Sequence, residues 1–136
     1  MGGRRKGRII AFQALYSFDI AYREIDELFN FSWIDEERKN RLKEETLAFS
    51  RLLVKGTIEN MPVIDEKIKE HLEHWDFSRL SRVDLAILRM SVFCLLYQPD
   101  IPATVTIDEA IDIAREFGTD ESYRFINGVL DSIQKH

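Results

Sequence analysis

The chain has 136 residues, 45% of them apolar and 32% charged, with a net charge of −5. That length and balance suit one globular domain with a sizeable core, and no low-complexity run or internal repeat is apparent. The single cysteine, Cys94, excludes an internal disulfide, and no secretory segment is apparent, so a reducing cytoplasm is expected.

The charge is unevenly spread. Residues 1–23 carry Arg4, Arg5, Lys6, Arg8 and Arg23 against Asp19 alone, a local +4. The other residues carry 14 basic and 23 acidic groups, a local −9, which restores the total of −5. A basic end on an acidic body suits a localised polyanion contact; it equally suits a solvated tail.

Residues 4–20 read as a helix. At 100° per residue, Ile10, Ala11, Ala14, Leu15 and Phe18 share one side and face the core. Arg5, Lys6, Ile9, Gln13, Tyr16 and Ile20 share the opposite side. Cations, an amide and an aromatic ring on one strip suit single-stranded RNA: phosphate contact, base-edge hydrogen bonding and stacking. A tyrosine at this spacing can also pack half-buried against another helix.

Residues 21–34 read as irregular or as a short amphipathic turn, with Ile25, Leu28, Phe29, Phe31 and Trp33 as packing residues. Asp35 to Asn60 reads as one long helix. Its charged first turns, Asp35 to Glu45, face solvent. Its second half turns inward through Leu47, Phe49, Leu52, Leu53 and Ile58, and Gly56 permits close approach of another helix. Pro62 suits the first turn of the next helix, which carries Ile64, Ile68, Leu72 and Trp75 on one stripe.

The segment 81–97 is apolar apart from Ser81, Arg82, Asp84, Arg89 and Ser91. Apolar residues cover nearly its whole circumference, so it is expected to be buried on most sides as the central helix. It is too short and too charged to span a membrane. Ser81 and Asp84 have capping-box spacing, and Pro99 lies just beyond the far end. Pro99 and Pro102 hold an extended loop. Thr106 and Glu109 repeat the capping-box spacing ahead of a stripe of Ile107, Ala110, Ile111, Ala114 and Phe117. Gly118 stands at the expected C′ position, and Thr119 can cap a last helix packing through Ile126, Val129, Leu130 and Ile133. The expected fold is all-α, with six or seven helices in two packed sub-bundles around the central helix.

Sites for chemistry are few. His71 and His74, with Glu70 and Glu73, lack the His-Glu-x-x-His order and a third ligand, so a solvated helix face is the expectation and no metal. Gly2, Gly3 and Gly7 lack the Lys-Ser/Thr ending of a phosphate loop. No nucleophile-and-base set stands out, and no cofactor is implied.

Four segments together resemble the NusB family of transcription antitermination proteins. They are Arg4-Arg5 and Arg8 with Ala11 and Gln13-Ala14-Leu15-Tyr16; Arg82-Val83-Asp84 with Ala86-Ile87-Leu88-Arg89; Ile101-Pro102 with Val105, Ile107, Glu109-Ala110 and Ile113-Ala114; and Phe117-Gly118, Ser122 and Phe125-Ile126-Asn127-Gly128-Val129-Leu130-Asp131. They span the chain, as one NusB-like RNA-binding domain over 1–136.

The resemblance implies an all-helical, non-catalytic RNA-binding protein. Its family binds the boxA element of nascent ribosomal RNA transcripts together with NusE, a small-subunit ribosomal protein, within an RNA polymerase antitermination complex. RNA contacts carry over to Arg4, Arg5, Lys6, Arg8, Gln13 and Tyr16, and to Glu121, Ser122, Arg124 and Asn127 at the start of the last helix. The NusE contact carries over to Asp84, with Arg82 beside it. A homodimer is left open, and no membrane is implied. The N-terminus of the last helix also offers unpaired N–H groups that suit a phosphate. Asn127-Gly128 can instead mark a close helix crossing. Asp120 and Glu121 stand where RNA is expected, which argues for weak affinity alone and for help from a basic partner. An alternative is an RNA-binding module of an RNA methyltransferase system.

Overall fold

The computed structural model describes residues 2–20, 25–73 and 76–135, apart from the side chains of Ile25, Asp26 and Phe29. The helices are α1 (Gly3–Ile20), α2 (Ile25–Asn30), α3 (Glu36–Asn40), α4 (Glu44–Glu59), α5 (Met61–Glu70), α6 (Arg82–Tyr97), α7 (Ala103–Phe117) and α8 (Ser122–Lys135). A 3₁₀ turn, Phe77–Arg79, leads into α6. No strand occurs among the described residues. Among the described residues, the six or seven expected helices are therefore six of ten residues or more plus two short ones.

Helix α6 is the hub, as its composition predicts. The Ser81 Oγ accepts from the Asp84 N–H at 3.1 Å and so caps its first turn. Leu85, Ile87, Leu88 and Val92 are fully or nearly fully buried on different sides of the helix, because α1, α4, α5, α7 and α8 all pack against it. Each such side chain contributes roughly 1.5–3 kcal/mol over its exposed state. Helices α1, α2 and α4 form one sub-bundle, and α5, α7 and α8 the other. Gly56 of α4 sits against the Phe93 ring of α6, where any Cβ would collide with the ring. The close approach expected of Gly56 is therefore real.

Several expectations need correction. The helix expected over Asp35–Asn60 is two helices. Asp35 caps α3 by accepting from the Arg38 N–H at 2.8 Å, and the backbone then turns extended at Lys43 (φ −72°, ψ 147°). Charge explains the break. Arg38 and Lys39 end α3 and Glu44 and Glu45 start α4, each suiting the dipole of its own helix end. Leu52 is 44% exposed and not inward-facing.

Helix α7 begins a turn earlier than its second capping-box signature suggests. Pro102 stands at the N-cap with φ −55°, already close to helical, so Thr106 and Glu109 lie inside the helix. The buried stripe of α7 is accordingly Thr106, Ala110, Ile113 and Ala114. Gly118 ends α7 with an ordinary negative φ; its small size matters because the Ser122 Oγ would lie 2.6 Å from a Cβ there.

Within the segment expected to be irregular or a short turn, residues 25–30 form α2, and residues 31–34 are turn and bend, as expected. Phe31 takes a left-handed backbone (φ 56°), costly for a residue with a Cβ. Its ring lies buried with Ile10, Ile34 and Leu47 in a small second core, which offsets that strain. The 21–24 segment, His74 and Trp75 lie outside the described residues. No described helix is long and apolar enough to cross a membrane, and no described cluster of ligating residues could hold a metal.

Candidate nucleic-acid interface

The residues expected to touch RNA fall into three physical situations. Lys6 and Arg4 are exposed in the first turns of α1. The Arg4 guanidinium lies 4.4 Å above the Phe49 ring of α4, a cation–π contact that leaves its rim open. Arg5 is engaged internally. Its Nε donates to Glu109 Oε2 at 3.0 Å and its Nη2 to Asp112 Oδ2 at 2.7 Å, and the Glu109 carboxylate holds its pKa above the ordinary value.

Arg8 is only 6% exposed, so it stands within the protein and not on the surface strip. Its guanidinium sits 5.2 Å from the Phe49 ring centre, and burial lowers its pKa. The reason lies in α1 itself. Arg8 precedes Phe12 by four residues and Leu15 by seven, which places it on the buried side. Gly7 lets α4 come close there: a Cβ at Gly7 would lie 3.1 Å from the Thr46 carbonyl oxygen.

Gln13 and Tyr16 are half-buried on the strip predicted for them. The Gln13 Oε1 is enclosed and has no hydrogen-bond donor. Tyr16 packs on the core, its ring centre 6.4 Å from that of Phe12. Two grooves meet at Gln13 and Phe117. One, of about 450 Å³, brings Lys6 together with Arg38 and Arg41 from α3 and its following turn. The other, about 190 Å³ and almost wholly apolar, is formed with Phe12, Tyr16 and Val83.

At the other end of the site, the start of α8 lies beside the start of α6. Asp84 and Ser81 share a cleft of about 230 Å³ with Glu121, Ser122 and Phe125. The expected RNA and partner residues are thus neighbours here. The Asp84 Oδ1 is buried without a hydrogen-bond partner, so only the Ser81 half of the capping box forms. Arg82 is exposed and donates to Asp19 Oδ2 at 3.1 Å.

Ser122 is buried, and its Oγ accepts from the Thr119 N–H at 3.0 Å. The Thr119 hydroxyl meets the same Ser122 hydroxyl at 3.1 Å, a side chain–side chain contact and not the backbone cap foreseen for Thr119. Glu121, Arg124 and Asn127 are exposed. The Arg124 Nε donates to the Tyr123 hydroxyl at 3.1 Å, and Arg115 lies 4.6 Å from the same ring. Gly128 has open space on its Cβ side, so Asn127-Gly128 marks no close helix crossing. His71 holds Ser132 through Nδ1 at 2.7 Å, a contact within the protein.

Sequence reasoning missed Arg38, Arg41, Val83 and Phe117 as groove residues. Arg38 and Arg41 were assigned to a solvent-facing helix, and only the break at Lys43 folds them toward α1.

Fold and surface together define an all-α domain bearing a groove edged by lysine and arginine and continued by aromatic rings, the chemistry of a polyanion-binding protein. The NusB family model matches residues 5–135. The transcription antitermination protein NusB of Treponema denticola is 50% identical over 133 residues, covering 97% of this chain and 96% of that one. A T. maritima NusB structure superposes with a TM-score of 0.85 at 38% identity, covering 98% of this chain and 91% of that one. A structure of the antitermination factors NusB and NusE in complex with dsRNA superposes at 0.86 and 27% identity, covering 99% and 98%. The chain belongs to the NusB family.

Proposed function

We propose that this protein is a transcription antitermination factor that binds boxA RNA of nascent ribosomal transcripts together with NusE, within an RNA polymerase complex. It works without catalysis, in the cytoplasm, and residues 1–136 act as one RNA-binding domain. The observation that carries this reading is the T. denticola relative, which bears the antitermination name at 50% identity over nearly the whole of both chains. The relatives found bear that name across almost their full length, so the methyltransferase-module alternative gains no support.

The site geometry supports a division of labour. The α1 strip of Arg4, Lys6, Gln13 and Tyr16 receives RNA, with Glu121, Arg124 and Asn127 at the start of α8. Arg5 and Arg8 hold α1 to α7 and α4, and so set the strip's position. Asp84, on the lining of the cleft between the starts of α6 and α8, receives a donor from NusE. An acidic body of −9 outside the first 23 residues suits a basic ribosomal protein.

Size-exclusion chromatography of the chain with NusE and a boxA oligonucleotide tests this. A co-eluting ternary complex is expected, and Asp84→Asn should lose NusE while keeping its melting temperature within a few degrees. No complex with either partner would refute the reading.

A further inference from the structure

We infer that Arg38 and Arg41 form the second wall of the RNA site and contact phosphates of the strand that runs along α1. This rests on the RNA-binding reading above and extends it to a segment outside the α1 strip and the start of α8. The break at Lys43 turns the end of α3 toward α1, so Arg38 and Arg41 face Lys6 across a groove of about 450 Å³. That volume falls in the range of small-ligand sites and accommodates a nucleotide unit.

The groove carries three cations against one carboxylate, Glu116, on a chain whose body is otherwise acidic. Neither Arg38 nor Arg41 forms an ion pair among the described residues; the Arg41 side chain makes only a long contact, 3.4 Å, to the Glu37 carbonyl. By contrast Arg5, Arg82 and Arg89 are all paired with carboxylates. Two guanidinium groups without carboxylate partners, flanking a lysine, suit an extended polyanion.

The shared floor selects nucleic acid over an acidic peptide. Gln13 and Phe117 line both this groove and the apolar groove of Tyr16, so phosphate-binding cations lead directly to rings on which bases stack.

The test is the double variant Arg38→Gln/Arg41→Gln in the full chain, with NusE present. Its affinity for a fluorescent single-stranded boxA oligonucleotide is read by anisotropy across a salt series. The variant should bind about tenfold more weakly than the parent at moderate salt, and its log–log salt slope should flatten by about 1.4, near 0.7 for each lost phosphate contact. Arg38→Lys/Arg41→Lys should keep most of that slope. Oligonucleotides carrying 4-thiouridine should cross-link to the peptide 38–42, a readout independent of variant stability.

Unchanged affinity and slope in the Gln variant, with the parent binding boxA normally, would overturn this inference alone. Retained RNA binding with lost NusE binding would assign the wall to a protein partner and overturn it too. A parent chain that binds no RNA even with NusE would overturn both this and the function proposed above.

Discussion

Arg5 and Glu109, 104 residues apart in the chain, form a two-point ion pair, with Nε to Oε2 at 3.0 Å and Nη2 to Oε1 at 3.2 Å. Asp112 takes the remaining reach of the same guanidinium at 2.7 Å. The first turn of α1 is thereby clamped to α7, and one cation of the basic end is occupied by the protein's own carboxylates. In the proposed function the polyanion contact then falls to the exposed Arg4 and Lys6, with Arg38 and Arg41.

Releasing the clamp should trade stability for affinity. Glu109→Ala/Asp112→Ala frees Arg5 for a phosphate and removes two negative charges beside the strip. The melting temperature should fall by a few degrees, while the salt slope for boxA binding steepens by about 0.7. Calorimetry and a salt titration check this; an unchanged slope would show that Arg5 does not reach RNA even when free.

Tyr16 packs on the core yet borders an open apolar groove, so it should register in both observables. Tyr16→Ala should cost about 1–2 kcal/mol of stability, less than a fully buried aromatic. It should also weaken boxA binding by the NusE complex about tenfold, the loss of one stacked base. Tyr16→Phe should retain most binding, because the ring does the stacking. Urea melts with anisotropy titrations separate the two effects, and normal RNA affinity in a destabilised Tyr16→Ala protein would make the residue purely structural.

Gly56→Ala should destabilise by about 1–3 kcal/mol, because the added methyl meets the Phe93 ring in a filled core. Gly128→Ala should do the opposite and stabilise by about 0.4–1 kcal/mol, since α8 is open there and alanine favours the helix. Urea denaturation of the pair checks both signs.

Burial pushes the Cys94 thiol up to about 11 from an ordinary value of 9.0. The unfolded thiol therefore ionises first, so the stability that this group confers is complete below pH 9 and declines as pH rises through 11. The loss attributable to it is about 2–3 kcal/mol over that window. Cys94→Ala should show a shallower decline than the parent between pH 9 and 11. Parallel curves would mean that the thiolate is equally accommodated in the fold. At neutral pH the folded thiol should resist alkylation.

Much of this was legible in residue order. Helix α6 announces itself because apolar residues surround it, and α8 because Ile126, Val129, Leu130 and Ile133 keep one face; all four are buried. What residue order hid is what depends on a second segment. Arg8 reads as one more surface cation until Phe49 of α4 covers it. The break at Lys43 involves neither proline nor glycine; only the switch from basic Arg38 and Lys39 to acidic Glu44 and Glu45 marks it. Phe31 holds a left-handed backbone that sequence rules reserve for glycine or asparagine, because its ring has a core to enter. The capping spacing of Thr106 and Glu109 was outweighed by Pro102, whose fixed φ started α7 earlier. In the candidate site, the α1 strip could be drawn on a helical wheel, whereas its opposing wall needed the fold.

In the proposed function this chain and NusE recognise boxA together. The most direct measurement is the dissociation constant of the chain for boxA and for a scrambled RNA of equal length, each with and without NusE, at one fixed salt concentration. Weak, sequence-indifferent binding by the chain alone is expected, with a gain of tenfold or more for boxA only when NusE is added. Equal affinity for both RNAs, unchanged by NusE, would contradict it.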